Sequence, residues 1–371
     1  MKKIHLATLF SGIGAIEQAF DKKHINYDIV FACDNGERYI KNSQEEILES
    51  IKGKNDLEIQ KAIKGIYDAT GKPNNVKKTY FANYRITEDR WFEDIRFLNG
   101  EQFRGQVDLL VGGSPCQSFS ISGKRAGLED ARGTLFFDYA RLIKETQPKA
   151  FIYENVPGLL SHDNGRTFKI ITEIFDSLGY EWSYKKLAAK DFGIPQNRTR
   201  VFVIGFRKDI VKSEFSFPKG HKLTTQTMDF LEDADGKTVI DRKYFHGEKG
   251  FKWVTSEKSL KKRVSINSKI SRTQAANQQF NWCGDMIFYP IEKQPWALND
   301  PKVYVGSFKG VKGVIRKLTP RECLRLMGFS DSFKIVVEDN VMYRQSGNSI
   351  VVNVLEAILD EIIKTGVFDN D

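Results

Sequence analysis

The chain contains few cysteines and histidines, and their spacing excludes several classes of protein. The cysteines Cys33, Cys116, Cys283 and Cys323 are far apart and fit neither a disulfide framework nor a zinc motif. The five histidines form no pair at metal-ligand spacing. We therefore predict no metal site. We interpret Cys33, Cys283 and Cys323 as small buried or partly buried side chains.

Long apolar runs are also absent, because no stretch reaches the roughly 18 apolar residues that span a bilayer. Residues 1–10 have the basic start and apolar run of a signal peptide. The run stops at Ser11-Gly12 without a small-residue cleavage site, so we interpret it as a first core strand. We expect a cytoplasmic protein with no membrane partner.

Acidic residues are scarce in one region. Residues 236–313 contain 15 lysines and arginines against six acidic residues, an excess of nine that equals the net charge of the whole chain. A localised basic region is typical of a nucleic-acid contact. Charge alone leaves a solvated lysine-rich face open as an alternative.

Strand and helix patterns alternate over the first 206 residues, which predicts an α/β fold with a doubly wound, mostly parallel sheet. The strand candidates are almost wholly apolar, as expected when helices cover both faces of a sheet. We predict strands at residues 4–10, 27–32, 107–111, 150–153 and 201–206, and helices at residues 15–21, 135–146 and 167–178.

The length of 371 residues suggests two domains. We predict a catalytic and cofactor-binding domain at residues 1–206, with a helical insertion of unknown role at about 41–75. After residue 206 the alternation gives way to short strands and polar loops, which predicts a smaller, irregular, β-rich domain at residues 207–315. Residues 316–371 are predicted to be a hinge and a C-terminal helix that returns to the first domain.

A glycine turn, Phe10-Ser11-Gly12-Ile13-Gly14, follows the first predicted strand. Glycines there let a ligand approach the backbone closely, although many α/β proteins carry such a turn for packing alone. Asp34 follows the next strand, where an acidic residue commonly binds ribose hydroxyls. The third glycine of the dinucleotide motif is missing, which favours a cofactor with one nucleoside and no pyrophosphate. S-adenosyl-L-methionine is such a molecule.

A thiol and a carboxylate follow two further strands, in Gly113-Ser114-Pro115-Cys116-Gln117 and in Glu154-Asn155-Val156. Carboxyl ends of parallel strands meet at the edge where open α/β sheets bind ligands. A free thiol has a pKa of roughly 8.5, and a helix N-terminus would raise its thiolate fraction. The pattern predicts a nucleophile and an acid beside a cofactor pocket. Either the Glu154 motif or the two arginines of Gln196-Asn197-Arg198-Thr199-Arg200 could instead be an ordinary salt-bridged surface element.

The order of these motifs closely resembles that of the cytosine-5 DNA methyltransferases of the prokaryotic modification type, over nearly the whole chain. The resemblance implies a Rossmann-like methyltransferase fold, with the basic region 236–313 inside a target-recognition domain. It implies that the catalytic residues are Cys116, Glu154, Arg198 and Arg200. It implies cofactor contacts from Phe10, Ser11, Gly12, Ile13, Gly14, Asp34, Asp94, Ile95, Pro115, Asn348 and Ser349, and DNA contacts from Gln117, Ser120, Ser122, Lys124, Arg125 and Gln196. Asp34 stands where the family more often has glutamate.

The mechanism that the resemblance implies begins when the Cys116 thiolate adds to C6 of the cytosine. A protonated Glu154, with a pKa raised by burial, would donate to N3. Arg200 would contact O2 and orient Glu154, and Arg198 would bind a phosphate. C5 then attacks the cofactor methyl group, and loss of the C5 proton, to a base left open, releases Cys116. The target cytosine must flip out of the duplex first, at a cost of a few kcal/mol.

Three other functions compete with this interpretation. A tRNA cytosine-5 methyltransferase would share the fold, and the large basic segment favours DNA over it. An inert DNA-binding regulator would lack Cys116, Glu154 or the arginines, all of which are present. A thiol hydrolase needs a histidine base, and nothing pairs His162 with Cys116. We expect a monomer that binds double-stranded DNA at a specific sequence, within a restriction-modification system with a possible partner endonuclease.

Overall fold

A computed structural model describes residues 2–114, 135–210, 213–279 and 282–369. The chain forms two compact units. The first consists of Met1–Leu187, Thr199–Lys219 and Leu355–Asp371, and the second of Ala188–Arg198 and Gly220–Val354. The boundaries differ from the predicted ones: residues 188–198 lie in the second unit, and residues 207–219 lie in the first. Residues 316–354, predicted as a hinge, also belong to the second unit.

A seven-stranded sheet forms the centre of the first unit, with the order β3-β2-β1-β4-β5-β7-β6. Strands β1 to β5 run parallel, and β7 runs antiparallel to β5. The doubly wound, mostly parallel sheet is therefore confirmed, and the strand order reverses between β1 and β4, where such sheets bind ligands. The strands are β1 Ile4–Leu9, β2 Tyr27–Cys33, β3 Trp91–Phe92, β4 Leu109–Gly112, β5 Ala150–Asn155, β6 Tyr180–Ala188 and β7 Thr199–Arg207.

Helices cover this sheet, and an aromatic cluster fills the space between them. The rings of Phe136, Tyr139, Phe151, Tyr153 and Phe175 are fully buried and belong to one core. The helices are α1 Ala15–Lys22, α2 Gln44–Ile51, α3 Asp56–Asp68, α4 Asn75–Asn83, α5 Leu135–Thr146, α6 Arg166–Ser177 and α11 Val352–Lys364, the last of which begins in the second unit.

The inserted segment at residues 41–75 is helical, as predicted, and contains α2 and α3. Helix α2 begins with a capping box, because Ser43 Oγ accepts from the Glu46 N–H and Glu46 Oε2 accepts from the Ser43 N–H. One face of the two helices is apolar and packs against Phe97, just beyond β3. The insertion therefore covers the β3 side of the first unit.

A smaller four-stranded sheet, of order β10-β11-β9-β8, forms the centre of the second unit. Its strands are β8 Val264–Ile266, β9 Gly284–Pro290, β10 Gly306–Phe308 and β11 Val311–Lys317. Short helices complete the unit: α7 Glu248–Val254, α8 Glu257–Lys262, α9 Pro320–Arg325 and α10 Asp339–Asn348. Helix α9 begins after the N-cap residue Thr319, whose hydroxyl accepts from the Glu322 N–H, and Pro320 occupies the first helical position.

Two further expectations concern the core and the membrane. Cys33 and Cys323 are buried and Cys283 is half-buried, which confirms the interpretation of these three thiols. Among the residues that the structure describes, no helix is both long and apolar enough to cross a membrane.

Candidate active site

The chain that leads to Cys116 is fixed against the end of β5. Asn155 Nδ2 donates to the Ser114 carbonyl oxygen at 3.0 Å and to the Tyr153 hydroxyl at 2.9 Å. The Ser114 and Tyr153 hydroxyls lie 2.8 Å apart. Both Ser114 and Asn155 are buried. These hydrogen bonds therefore fix Ser114 at the end of β5, beside Glu154 and two residues before Cys116 in the sequence.

Several predicted site residues follow that point, outside the described residues. They are the predicted nucleophile, one cofactor contact and five of the six predicted DNA contacts, namely Cys116, Pro115, Gln117, Ser120, Ser122, Lys124 and Arg125. Their roles stay predictions.

Glu154 and Arg200 form an ion pair across the antiparallel pair β5 and β7. Arg200 Nε lies 3.1 Å from Glu154 Oε1, and both side chains are largely buried. Register explains the contact: Glu154 pairs with Phe202, so Arg200 is its diagonal neighbour on the same face. A Cβ atom at Gly113 would lie only 2.5 Å from the Glu154 carbonyl oxygen, so this approach requires glycine. The structure brings Gly113, Glu154 and Arg200 together, as the motifs predicted.

Asp34 and the glycine turn meet at the ends of β1 and β2. The Asp34 carboxylate accepts from the Gly12 N–H at 2.9 Å and from the Gly36 N–H at 2.8 Å. Burial raises the pKa of Asp34, and these two hydrogen bonds oppose that shift. A carboxylate has about four lone-pair sites, so Asp34 keeps capacity for hydroxyl donors such as those of a ribose.

The other residues of the turn serve the fold itself. Gly12 and Phe10 have positive φ values of 55° and 53°. Ser11 Oγ accepts from the Cys33 N–H at 3.0 Å and so ties β1 to β2. Ile13 is buried, so its side chain belongs to the core.

The second glycine of the turn, Gly14, is required by a nearby tyrosine, whether or not a ligand binds there. Gly14 has a φ of 77°, and a Cβ atom there would lie 2.1 Å from the Tyr84 ring. The Tyr84 hydroxyl donates to the Gly14 carbonyl oxygen at 2.7 Å. Sequence reasoning missed Tyr84, because nothing local connects it with a turn about 70 residues earlier.

At the end of β3, Asp94 is buried and makes several hydrogen bonds. It accepts from the Tyr67 hydroxyl at 2.8 Å, from Arg96 Nη2 at 2.6 Å and from the Arg96 N–H at 3.0 Å. Ile95 beside it is also buried. Sequence reasoning missed Tyr67, which lies in the inserted segment, since its hydrogen-bond partner is 27 residues away.

Gln196 and Arg198 are both buried, and their side chains bond to residues of the second unit. Gln196 Nε2 donates to the Leu326 carbonyl oxygen at 2.7 Å. The Arg198 guanidinium donates to the carbonyl oxygens of Gln274 and Ser349 at 2.7 Å and 2.6 Å. Backbone carbonyls accept from both side chains in this structure, and the predicted phosphate contact of Arg198 and DNA contact of Gln196 stay predictions.

Asn348 and Ser349 lie at the end of α10 in the second unit. Asn348 is exposed, whereas Ser349 is buried and its carbonyl oxygen accepts from Arg198. Their predicted contact with the cofactor stays a prediction. The predicted residues that share one sheet edge are those of the first unit, namely the glycine turn, Asp34, Asp94, Ile95, Glu154 and Arg200.

Sequence comparisons identify relatives of this chain. The family described as C-5 cytosine-specific DNA methylase matches residues 56–364. The chain is 39% identical over 293 residues to Type II methyltransferase M.SsoII of Shigella sonnei, covering 78% of this chain and 71% of that protein. It is 36% identical over 288 residues to Type II methyltransferase M.HhaI of Haemophilus parahaemolyticus, covering 73% and 84%.

Solved structures agree on the fold. A Spodoptera frugiperda DNMT2 mutant superposes with a TM-score of 0.65 at 19% identity, covering 97% of this chain and 99% of that one. Entamoeba histolytica methyltransferase EhMeth gives 0.62 at 17% identity, covering 98% and 99%. With a matched domain over most of the chain and relatives above one third identity, the chain belongs to the C-5 cytosine-specific DNA methylase family and is a DNA (cytosine-5-)-methyltransferase.

Proposed function

We propose that the protein methylates C5 of a cytosine flipped out of duplex DNA, through a transient bond between Cys116 and C6 of the base. The Glu154–Arg200 pair carries this proposal, because it lies against the strand end that leads to Cys116. The Asn155–Ser114 hydrogen bond supports it by fixing that strand end.

We assign one chemical task to each of three residues, Cys116, Glu154 and Arg200. The Cys116 thiolate adds to C6 and pushes electron density toward N3, which makes C5 nucleophilic. Glu154 donates a proton or hydrogen bond at N3. Arg200 orients Glu154 and reaches O2, since its forked, permanently charged guanidinium can serve two acceptors at once. Loss of the C5 proton later expels the Cys116 sulfur.

The first unit also fits the methyl donor S-adenosyl-L-methionine. This molecule, when bound, supplies an electrophilic methyl group on a sulfonium sulfur. Asp34 retains acceptor sites for ribose hydroxyls beside the Gly12 backbone. Asp94 offers a buried carboxylate for the adenine amino group, one strand further along. These two acceptors therefore suit the hydroxyl and amino donors of an adenosine.

In this proposal Arg198 and Gln196 also support the backbone of the second unit. Arg198 holds the carbonyls of Gln274, Gly347 and Ser349, which come from two separate segments of the second unit. A guanidinium has five donors in a fixed plane, which suits it to such carbonyl clusters.

We also propose that methylation is sequence-specific and that the basic region 236–313 contributes to DNA binding. Several of its lysines are exposed on α8, including Lys258 and Lys262. Relatives of this chain are named as Type II methyltransferases, which supports a role in restriction-modification and a partner endonuclease.

A trapping experiment tests the covalent mechanism. Bisulfite sequencing of DNA from expressing cells first identifies the methylated site. A duplex with 5-fluorocytosine at that site is expected to form a denaturation-resistant complex, because fluorine cannot leave C5 as a proton does. Cys116→Ser and Cys116→Ala should form none and should lose methyl transfer by on the order of 10³-fold or more.

Two outcomes would overturn the proposal. Full activity in either Cys116 variant would exclude the covalent step. Methyl incorporation into tRNA, with none into duplex DNA, would identify tRNA as the substrate.

A further inference from the structure

Two side chains of the inserted segment contact the strand ends assigned to the adenosine. The Tyr67 hydroxyl donates to Asp94 Oδ2 at 2.8 Å. Asn74 Nδ2 donates to the Asp34 carbonyl oxygen and to Glu93 Oε2, both at 2.9 Å. The segment therefore contacts the ends of both β2 and β3.

Tyr67 is held rigidly where it makes this contact. Its side chain is 1% exposed and packs in an apolar cluster with Ile63 and Phe97. The Arg38 guanidinium lies 4.9 Å from the centre of the Tyr67 ring, and Arg38 also forms a buried ion pair with Glu93. A ring fixed on two sides gives its hydroxyl a fixed position.

Asp94 has its lone pairs occupied in this structure. Oδ1 accepts from the backbone N–H and Nε of Arg96, both at 3.0 Å, and Oδ2 accepts from Arg96 Nη2 and the Tyr67 hydroxyl. A carboxylate has about four lone-pair sites, so an adenine amino group must displace one donor. The Arg96 side chain is 26% exposed and can swing away, whereas Tyr67 is enclosed.

We propose that Tyr67 is a positioning residue for the methyl donor, which anchors the Asp94 carboxylate so that it can accept the 6-amino group of adenine. The proposal rests on the proposed function, in which Asp94 binds the adenine. It gives the insertion a role: its helix α3 sets affinity and base selectivity for the cofactor.

Tyr67→Phe tests this, because it removes the hydroxyl and keeps the ring. Binding of S-adenosyl-L-homocysteine, and of its analogue without the 6-amino group, is measured by titration calorimetry on the full chain. The variant is expected to bind the adenine compound roughly three- to tenfold more weakly and the analogue unchanged. The KM for S-adenosyl-L-methionine should rise by the same factor at constant kcat. Tyr184→Phe, at a half-exposed tyrosine of β6, is the matched control.

A second variant addresses the other contact. In Asn74→Ser the hydroxyl can still cap α4 by accepting from the Lys77 N–H, while the amide donor is lost. This substitution should weaken the binding of both compounds equally, because Asn74 supports the strand ends rather than the Asp94 carboxylate. Thermal unfolding shows whether each variant is folded. If Tyr67→Phe does not fold, the Asn74→Ser variant by itself tests the role of the insertion.

The outcomes separate the two proposals. A wild-type protein that binds both compounds equally would contradict the assignment of Asp94 to the adenine, and with it the proposed function at this site. If the wild type prefers the adenine compound and Tyr67→Phe keeps that preference in full, only the role of Tyr67 is overturned. Unchanged affinity in Asn74→Ser would overturn the role of Asn74.

Discussion

Arg200 and Arg198 are two residues apart in one motif, yet they have different surroundings. Arg200 pairs with Glu154 in the first unit. Arg198 is buried among backbone carbonyls in the second unit. Arg198 precedes β7, which begins at Thr199, so the side-chain alternation of that strand does not place the two arginines on one face. The motif therefore combines one candidate catalytic group with one side chain that binds backbone carbonyls.

We expect Arg200→Ala to lower kcat by roughly 10²- to 10³-fold, because the reaction loses a preorganised cationic donor beside the base. Initial rates of methyl transfer at saturating DNA and methyl donor measure this. Arg207→Ala, at the other end of β7, is the control and should keep its kcat. An Arg200→Ala enzyme with wild-type kcat would exclude the arginine from the chemistry.

At the scale of elements, helix α1 packs on α4 through a buried carboxyl group. Glu17 accepts a hydrogen bond from the Tyr80 hydroxyl, and both residues are fully buried. Burial raises the pKa of Glu17 from 4.5 to about 7. The folded protein therefore keeps a proton between these pH values that the unfolded chain releases.

This linkage predicts a pH dependence of stability. As pH rises from 4.5 to about 7, the wild type should lose unfolding free energy relative to Glu17→Gln, by on the order of a few kcal/mol in total, and the gap should stay constant above that pH. Urea unfolding across pH 4.5–8 measures the gap. Glu45→Gln, at an exposed position of α2, is the control. A gap independent of pH would contradict the assignment to Glu17.

The sequence predicts some strands and helices better than others. Five predicted strands match β1, β2, β4, β5 and β7, since each is an apolar run between turn residues. Strand β6 was missed because most of its residues are not buried, and β3 was missed because it has two residues. Helix α5 was predicted with its observed bounds from its apolar periodicity.

At the scale of the whole molecule, positive charge is concentrated in the second unit. The region 236–313 lies entirely within it, and carries the net charge of the chain. Binding of such a surface to duplex DNA releases counterions and therefore weakens as salt rises.

We expect the double variant Lys258→Gln/Lys262→Gln to reduce the slope of log K against log salt by about 2, if each lysine contacts one phosphate. Fluorescence anisotropy with a labelled duplex over a salt series measures the slope. Lys52→Gln/Lys54→Gln, at exposed positions of the insertion in the first unit, removes the same charge and should leave the slope unchanged. Equal slopes for both double variants would contradict the DNA contact.

The sequence alone determined the parallel sheet, the helical insertion and which side chains follow the strand ends, because these depend on local residue types and on where parallel strands end. The tertiary structure decided that Arg198 and Gln196 support the second unit, that Tyr84 requires Gly14, and that Tyr67 contacts Asp94. Their partners lie between 27 and 151 residues away along the chain. Contacts at that separation leave no periodic or compositional signal, so only the folded chain identifies them.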